Sequence, residues 1–136
     1  MPKVLGIDYG EVRIGLAVSD PLMISANPLK TLVRKNEEAD MKKLFDLIRE
    51  QEVERVVVGL PLNMNGTEGP MAEAARAFAA KIEAKGYEVV LWDERWSSQA
   101  AENLLVSADL SRKKRKQVKD NVAAAWFLQA YLDAQR

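Results

Sequence analysis

The apolar positions in the first part of the chain follow the two-residue repeat of β-strands. Residues 3–8 predict one strand and residues 13–19 a second, and the short stretch Asp8-Tyr9-Gly10-Glu11 indicates a hairpin-like connection between them. A third, weaker strand is predicted near residues 27–33. Pro28 favours an edge position for it, because proline has no N–H to donate to a neighbouring strand.

Helical periodicity follows in four places. Apolar residues recur at spacings of three and four over residues 37–51 and again over residues 72–85, where Gly86 is expected to be the C-cap. Two further helices are predicted, one from residue 97 or 98 to about residue 106 and one from about residue 111 to the C-terminus.

Between these helices lie two continuous apolar runs, residues 55–60 and 87–92, which are typical of strands buried on both faces. The predicted order is therefore β-β-β-α-β-α-β-α-α. Strands that are joined through a helix pack in parallel by the right-handed crossover rule. We expect an α/β fold in a single domain of residues 1–136, with a mixed five-stranded sheet and helices on both of its faces.

Composition restricts the chemistry of such a domain. The sequence has no cysteine and no histidine, which excludes disulfides, thiolate and imidazole metal sites, and His-dependent nucleophilic catalysis. Hydrolysis would depend on carboxylates, Lys, Tyr or an oxygen-ligated cation such as Mg²⁺ or Mn²⁺. The 20 basic and 20 acidic residues cancel, so a nucleic acid would have to contact a local basic patch. No apolar run has the length of a membrane span and no signal peptide is apparent, so we expect no membrane partner.

Three acidic residues stand where the pattern is otherwise apolar. Asp8 and Glu94 each follow a run that predicts a buried strand, and Asp120 interrupts an apolar face of the last helix. A buried carboxylate is costly unless it is compensated, and a shared divalent metal would compensate all three. Carboxylate-held metals at strand ends serve phosphoryl-transfer chemistry. Asp8 and Glu94 are both expected at the C-terminal ends of their strands, where open α/β sheets have their sites.

Each of these carboxylates also has a simpler interpretation. Asp8 is a common residue at the start of a turn, Glu94 is next to Arg95 as an ion-pair partner, and Asp120 would complement a helix dipole. Any one of these interpretations stands on its own. We favour a shared site because the alternative requires the simpler interpretation to hold for all three carboxylates at once.

A basic run and a loop are the other candidate features. Residues 112–119 carry six basic side chains in eight positions, directly before Asp120. Such a run is most often a solvated face, but here it would also bring positive charge beside the acidic residues, as a phosphate backbone requires. The loop of residues 59–67 matches no Walker or dinucleotide motif, although its backbone amides could hold phosphate. Trp96 could stack on a base, with core packing as the simpler role.

Four ordered motifs resemble those of the YqgF/RuvX family and together cover essentially the whole chain. They are Gly6-Ile7-Asp8-Tyr9-Gly10 with Arg13-Ile14-Gly15-Leu16-Ala17, then residues 59–67, 93–98 and 119–124. One departure concerns the motif that begins Asp93-Glu94-Arg95, which usually continues with two threonines and here continues Trp96-Ser97-Ser98. The hydroxyl groups remain, so a helix cap or a phosphate contact is retained.

The resemblance implies an RNase H-like fold related to RuvC-type resolvases, and metal-dependent nuclease chemistry in the bacterial cytoplasm. The family is associated with 5′-end maturation of pre-16S ribosomal RNA and was earlier connected with Holliday junctions. Its acidic triad falls on Asp8, Glu94 and Asp120, which would be both the catalytic residues and the ligands of Mg²⁺ or Mn²⁺. The candidate substrate contacts are Arg13, Asn63, Gly66, Thr67, Arg95, Ser97, Arg112, Lys113, Lys114 and Lys119.

We therefore predict a nuclease that hydrolyses phosphodiester bonds in structured nucleic acid, with pre-rRNA as the expected substrate and branched DNA as the alternative. A non-catalytic RNA-binding factor of the same fold is a second alternative. A nucleotide-binding protein of the actin/Hsp70 type shares the fold core but needs a second, duplicated domain, for which 136 residues leave no room. The oligomeric state stays open, because a resolvase would need a symmetric dimer and an RNA-processing nuclease could act as a monomer.

Overall fold

The computed structural model describes residues 3–63, 65–93 and 112–135, with the side chains of residues 112–121 outside the description. Eight elements lie within these ranges: β1 (Lys3–Tyr9), β2 (Arg13–Ser19), β3 (Ala26–Val33), α1 (Glu37–Glu50), β4 (Val53–Leu60), α2 (Pro70–Glu83), β5 (Glu88–Asp93) and α3 (Arg112–Ala134). The helix predicted over residues 97–106 and the cap predicted at Ser111 fall outside the described residues.

The five strands form one mixed sheet in the order β3-β2-β1-β4-β5. β1 pairs antiparallel with β2, and β2 pairs antiparallel with β3. β1 pairs parallel with β4, and β4 pairs parallel with β5, as expected for strands joined through helices. The predicted α/β fold is confirmed, and so is the edge position of β3, the strand that contains Pro28. A consequence for the site is that β1, β4 and β5 all end at the same edge of the sheet.

The sheet separates two hydrophobic cores because successive side chains of a strand point to opposite faces. In β1, Leu5 and Ile7 pack in the core that contains the buried residues of α1 and α2. Val4 packs in the second core, together with Phe127 and Leu128 of α3. Helices therefore cover both faces of the sheet, as predicted. We call the two surfaces the α1/α2 face and the α3 face.

The ends of the helices follow from local chemistry. Asn36 caps α1, where its side-chain oxygen accepts a hydrogen bond from the N–H of Ala39 at 2.8 Å. α2 begins at Pro70, two residues before the predicted start, because proline fits the first helical position. The prediction that Gly86 is the C-cap of α2 is wrong, since the cap is Ala84. The chain leaves the helix there in a short turn, and Gly86 adopts φ +96° within that turn.

α3 buries a broad face against the sheet. The buried residues on its described part are Ala123, Ala124, Ala125, Phe127, Leu128, Tyr131 and Leu132. Leu128 is fully buried at the contact with β1. None of the described helices is long and apolar enough to cross a membrane.

Candidate active site

Asp8 lies near the C-terminal end of β1, on the α3 face of the sheet. Val4 belongs to the core beneath α3 and Leu5 to the opposite core, so the alternation along the strand puts Gly6 and Asp8 on the same face as Val4. Asp8 is half-buried. The hairpin that follows it is tight, with the N–H of Gly10 donating to the carbonyl of Arg13 at 2.9 Å.

Glycines flank Asp8 on both neighbouring strands. Asp8 pairs directly with Gly15 of β2. On β4 the parallel register pairs Ile7 with Val58, so the next step along both strands brings Gly59 beside Asp8. The two positions directly beside Asp8 on the neighbouring strands therefore lack a Cβ atom. We call this part of the α3 face the glycine hollow (Gly15, Asp8, Gly59).

α3 lies directly over β1 at the position before this hollow. A Cβ atom built on Gly6 would be 3.0 Å from Cβ of Leu128 and 3.3 Å from the carbonyl oxygen of Ala124. Such a close approach of helix to strand is possible only because glycine has no side chain. Leu132, one turn later in α3, lines a cavity of about 210 Å³ with Val4, near the start of β1. The helix therefore runs antiparallel to β1, with its earlier residues toward the end of the strand that carries Asp8.

Of the other two members of the predicted triad, the structure describes only the backbone of Asp120. β5 ends at Asp93, so Glu94 lies outside the described residues. The backbone of Asp120 belongs to α3, and its side chain is outside the described part. Within the residues that the structure does describe, no three His, Cys, Asp or Glu side chains are close enough together to hold a metal. The convergence of the triad therefore stays a prediction.

The candidate substrate contacts divide in the same way. Arg13 begins β2, two residues before Gly15, which puts it on the α3 face at the same end of the sheet as Asp8. Arg95 and Ser97 lie outside the described residues. Arg112, Lys113, Lys114 and Lys119 belong to the first turns of α3 by their backbone, and their side chains are outside the described part.

Asn63, Gly66 and Thr67 lie in the loop between β4 and α2, at the edge of the sheet where β1 also ends. The N–H groups of all three donate within the loop: that of Asn63 to the Thr67 carbonyl, that of Gly66 to the Asn63 carbonyl, and that of Thr67 to Oδ1 of Asn65. Nδ2 of Asn63 also donates to the Thr67 hydroxyl at 3.0 Å. These residues thus give the loop a fixed shape, and their backbone amides are used in doing so.

An ion pair joins this loop to the helix that follows it. Arg76 of α2 donates to both carboxylate oxygens of Glu68, at 2.6 and 2.9 Å. The hydrogen bonds from Arg76 lower the pKa of Glu68, which keeps the carboxylate charged. α2 itself begins after Gly69 without a side-chain cap, so the positive end of its dipole lies at the same edge as Asp8.

The sequence analysis missed one group of residues near Asp8. Arg34, after β3, contacts both Tyr9 and the carbonyl of Gly10, and it pairs with the buried carboxylate of Asp40. Asp40 stands in the acidic first turn of α1, where the local pattern does not distinguish it from solvated neighbours such as Glu38. Only the tertiary structure reveals that Asp40 faces inward.

Comparison with known proteins shows which family the chain belongs to. A family model described as "RuvX: Holliday junction resolvase" matches residues 2–134. The chain belongs to the RuvX family. The resemblance of its four motifs to that family is thereby confirmed.

Similar proteins extend over the full length of the chain. A protein of Geobacillus kaustophilus named "Putative pre-16S rRNA nuclease" is 50% identical over 137 residues, covering 98% of this chain and 99% of the relative. A protein of Moorella thermoacetica with the same name is 50% identical over 132 residues, covering 96% of this chain and 94% of the relative.

Two solved structures share the fold of this RuvX family member. Thermus thermophilus RuvC in complex with a Holliday junction substrate matches with a TM-score of 0.61 at 21% identity, over 99% of this chain and 96% of that one. Fowlpox virus resolvase in complex with Holliday junction DNA matches with a TM-score of 0.58 at 10% identity, over 98% of each chain. At these identities the likeness concerns the fold, which is the RNase H-like fold of the RuvC-type resolvases.

Proposed function

We propose that this chain is a metal-dependent nuclease that hydrolyses phosphodiester bonds in structured nucleic acid, with Asp8 as its central catalytic carboxylate. The observation that carries the proposal is the glycine hollow: a half-buried carboxylate at a strand end, with glycine at the directly neighbouring position on each adjacent strand. A hydrated cation and a phosphate group both need such space. The name that the similar proteins carry, "Putative pre-16S rRNA nuclease", supports the same conclusion.

A divalent metal fits the donors available at this position. Asp8 provides oxygen ligands, which Mg²⁺ and Mn²⁺ prefer, and the sequence has no His or Cys that would select zinc. Bound there, the cation would lower the pKa of a coordinated water and polarise the scissile phosphate. Asp8 would contribute a carboxylate whose orientation is fixed by its place at the end of a paired strand.

Glu94 and Asp120 are proposed to complete the ligand set. Val90 and Trp92 of β5 pack on the α3 core, so a further step of two residues along the chain would bring Glu94 to the same face as Asp8. β1 and β5 are separated by β4, and two strand spacings amount to about 10 Å, which facing Asp and Glu side chains can bridge with metal ions between them.

The case for Asp120 comes from the helical repeat of α3. Leu128 and Ala124 both contact the position of Gly6, and position 120 is one further turn along the same side of the helix. Since α3 runs antiparallel to β1, that turn would lie over the strand at the level of Asp8. We infer that the Asp120 carboxylate enters the glycine hollow from the helix side.

Substrate phosphates would approach from the end of the sheet. Arg13 is proposed to contact a phosphate beside the hollow, and the basic residues at the start of α3 would extend the positive surface. The ordered loop of Asn63, Gly66 and Thr67, next to the uncapped N-terminus of α2, would border the same cleft.

The proposed biological role is 5′-end processing of pre-16S rRNA in the cytoplasm, which the names of the full-length relatives support. Resolution of Holliday junctions is the second candidate. The description of the matching family model favours it.

A side-by-side cleavage assay tests the proposal. The chain would be incubated with a pre-16S rRNA fragment and with a four-way DNA junction, each with Mn²⁺, Mg²⁺ or a chelator, and its mass in solution would be measured in parallel. We expect metal-dependent cleavage of the RNA fragment. Cleavage of the junction by a dimer would favour the resolvase role, and RNA binding without cleavage under any metal condition would indicate a non-catalytic factor.

A further inference from the structure

A buried carboxylate lies behind the strand end that carries Asp8. Asp40, in the first turn of α1, is only 4% exposed. Its Oδ1 accepts a hydrogen bond from the N–H of Lys35 at 3.0 Å, and its Oδ2 lies 3.4 Å from Nε of Arg34. A charge removed from water needs such partners. The consequence is that Arg34 is held against the start of α1.

Arg34 in turn contacts the connection between β1 and β2 at three points. Its Nη1 donates to the carbonyl of Gly10 at 3.2 Å, and its backbone N–H donates to the carbonyl of Val12 at 2.8 Å. Its guanidinium carbon lies 4.6 Å from the centroid of the Tyr9 ring, in a cation–π arrangement. Arg34 therefore contacts three of the four residues that follow Asp8, and its side chain, anchored by Asp40, contacts two of them, Tyr9 and Gly10.

Tyr9 is also held from α2. Its ring packs against Phe78 with the centroids 4.5 Å apart. Because neighbouring side chains of a strand point to opposite faces, Tyr9 is fixed on the α1/α2 face while Asp8 projects on the α3 face. The orientation of the Asp8 carboxylate thus depends on contacts made on the other side of the sheet.

We propose that Arg34 and Asp40 are positioning residues, which hold the end of β1 so that the Asp8 carboxylate keeps one orientation in the glycine hollow. This inference rests on the proposed function, since it assigns the ion pair a role in aiming a catalytic group. Catalytic groups must be held to within about 0.5 Å of their working geometry. A partly buried ion pair is weak as a source of stability compared with apolar packing of similar volume. The contacts of Arg34 with the β1–β2 turn are directional, which suits a role in orienting Asp8.

Three variants test the role. Arg34→Met removes the charge and the directional contacts while keeping an unbranched side chain, and Arg34→Lys retains the charge. Arg49→Met is the matched control, because Arg49 also pairs through a single contact with an aspartate of α1, Asp46, near the end of that helix and away from the β1–β2 turn. With Mn²⁺ and an RNA fragment, we expect Arg34→Met to lower kcat by about 10- to 100-fold with KM changed less than about threefold. Arg34→Lys should recover part of this loss, and Arg49→Met should stay close to the unsubstituted chain.

A second readout does not depend on catalysis. The N–H of Gly10 is hydrogen-bonded to the Arg13 carbonyl, so its hydrogen-exchange rate reports how firmly the hairpin is held. Exchange at Gly10 should become faster in Arg34→Met and stay unchanged in Arg49→Met.

The two readouts separate the inference from the proposed function. An unchanged kcat in Arg34→Met, an equal loss in Arg49→Met, or unchanged Gly10 exchange in Arg34→Met would each overturn the positioning role. If the unsubstituted chain cleaves no nucleic acid while Gly10 exchange responds as expected, the proposed function fails and the hold on the hairpin stands.

Discussion

The contact between Gly6 and α3 gives a prediction whose size follows from the structure. In Gly6→Ala, the new methyl carbon would lie 3.0 Å from Cβ of Leu128 and 3.3 Å from the carbonyl oxygen of Ala124. Carbon atoms pack at about 3.5–4.0 Å, so the separation must grow by about 0.5 Å or more. Neither neighbouring atom can move away by a change of rotamer, since one is a Cβ and the other belongs to the backbone. The helix itself has to shift away from β1.

Two effects on stability oppose each other in Gly6→Ala. Overpacking of a core costs about 1–3 kcal/mol, and the replacement of glycine by alanine gains about 0.4–1 kcal/mol through the unfolded state. The net loss in free energy of unfolding should be about 1–2 kcal/mol. For a chain of this size that corresponds to a decrease in Tm of about 3–8 °C.

The effect on activity should be larger than the effect on stability. A shift of α3 would carry Asp120 away from its proposed position beside Asp8, and a displacement approaching 1 Å can reduce turnover by about 100-fold. We therefore expect kcat of Gly6→Ala to fall at least about tenfold at a temperature where the variant is fully folded. Gly69→Ala is the control, because its added Cβ would have no neighbour closer than 3.9 Å.

The assay is metal-dependent cleavage of an RNA fragment, with thermal unfolding followed by circular dichroism. If Gly6→Ala keeps its Tm and its kcat within about twofold, α3 is not seated on β1 as described. The inference that Asp120 lies over Asp8 would then lose its basis.

Three further predictions concern charge. Asp8→Asn should abolish cleavage at saturating Mn²⁺ without lowering Tm, because it would relieve repulsion within the proposed cluster of carboxylates. Asp93→Asn, at the end of β5 and on the opposite face of the sheet, should remain active. Substantial cleavage by Asp8→Asn would exclude a metal-anchoring role. Replacing residues 112–114 with alanine should flatten the dependence of log nucleic-acid affinity on log salt concentration by up to about one unit per lost phosphate contact. Alanine at the exposed residues 42–43 of α1 should leave this slope unchanged. An unchanged slope in the 112–114 variant would mean that the basic run is a solvated surface. The hydrogen bond from the Ser25 N–H lowers the pKa of Asp20, so this carboxylate stabilises the fold above its unfolded pKa and loses that effect as the pH falls through its folded pKa. Asp20→Ala should therefore lower Tm at pH 7. The difference in Tm between the variant and the unsubstituted chain should narrow below about pH 4, as measured by thermal unfolding at a series of pH values.

The order and type of the described elements were predictable because their periodicity is local. The continuous apolar run of residues 55–60 identified the buried strand β4, and Pro28 identified β3 as one of the two edge strands. The prediction that residues 87–92 form a strand buried on both faces is wrong, since β5 is half-buried at the other edge of the sheet. The end of α2 was not predictable in the same way. Gly86 is a good C-cap by type, but the chain leaves the helix at Ala84 and uses the glycine later in the turn.

Asp8 could be selected as a candidate from the sequence because a carboxylate at the end of an apolar run is unusual. The surroundings of Asp8 could not be predicted from the sequence. The glycine hollow depends on the pairing of Asp8 with Gly15 and on the register between β1 and β4, which no local pattern gives. The burial of Asp40 depends on contacts with Arg34 and Lys35 that form only after α1 docks.

The convergence of Asp8, Glu94 and Asp120 is the central claim, and a crystal structure with Mn²⁺ tests it most directly. The anomalous scattering of manganese locates the ion independently of any assumption about its ligands. We expect an anomalous peak in the glycine hollow, within about 2.5 Å of a carboxylate oxygen of Asp8 and with Glu94 and Asp120 oxygens around the same ion or a second one about 4 Å away. A peak elsewhere, or Glu94 or Asp120 on the α1/α2 face, would contradict the claim.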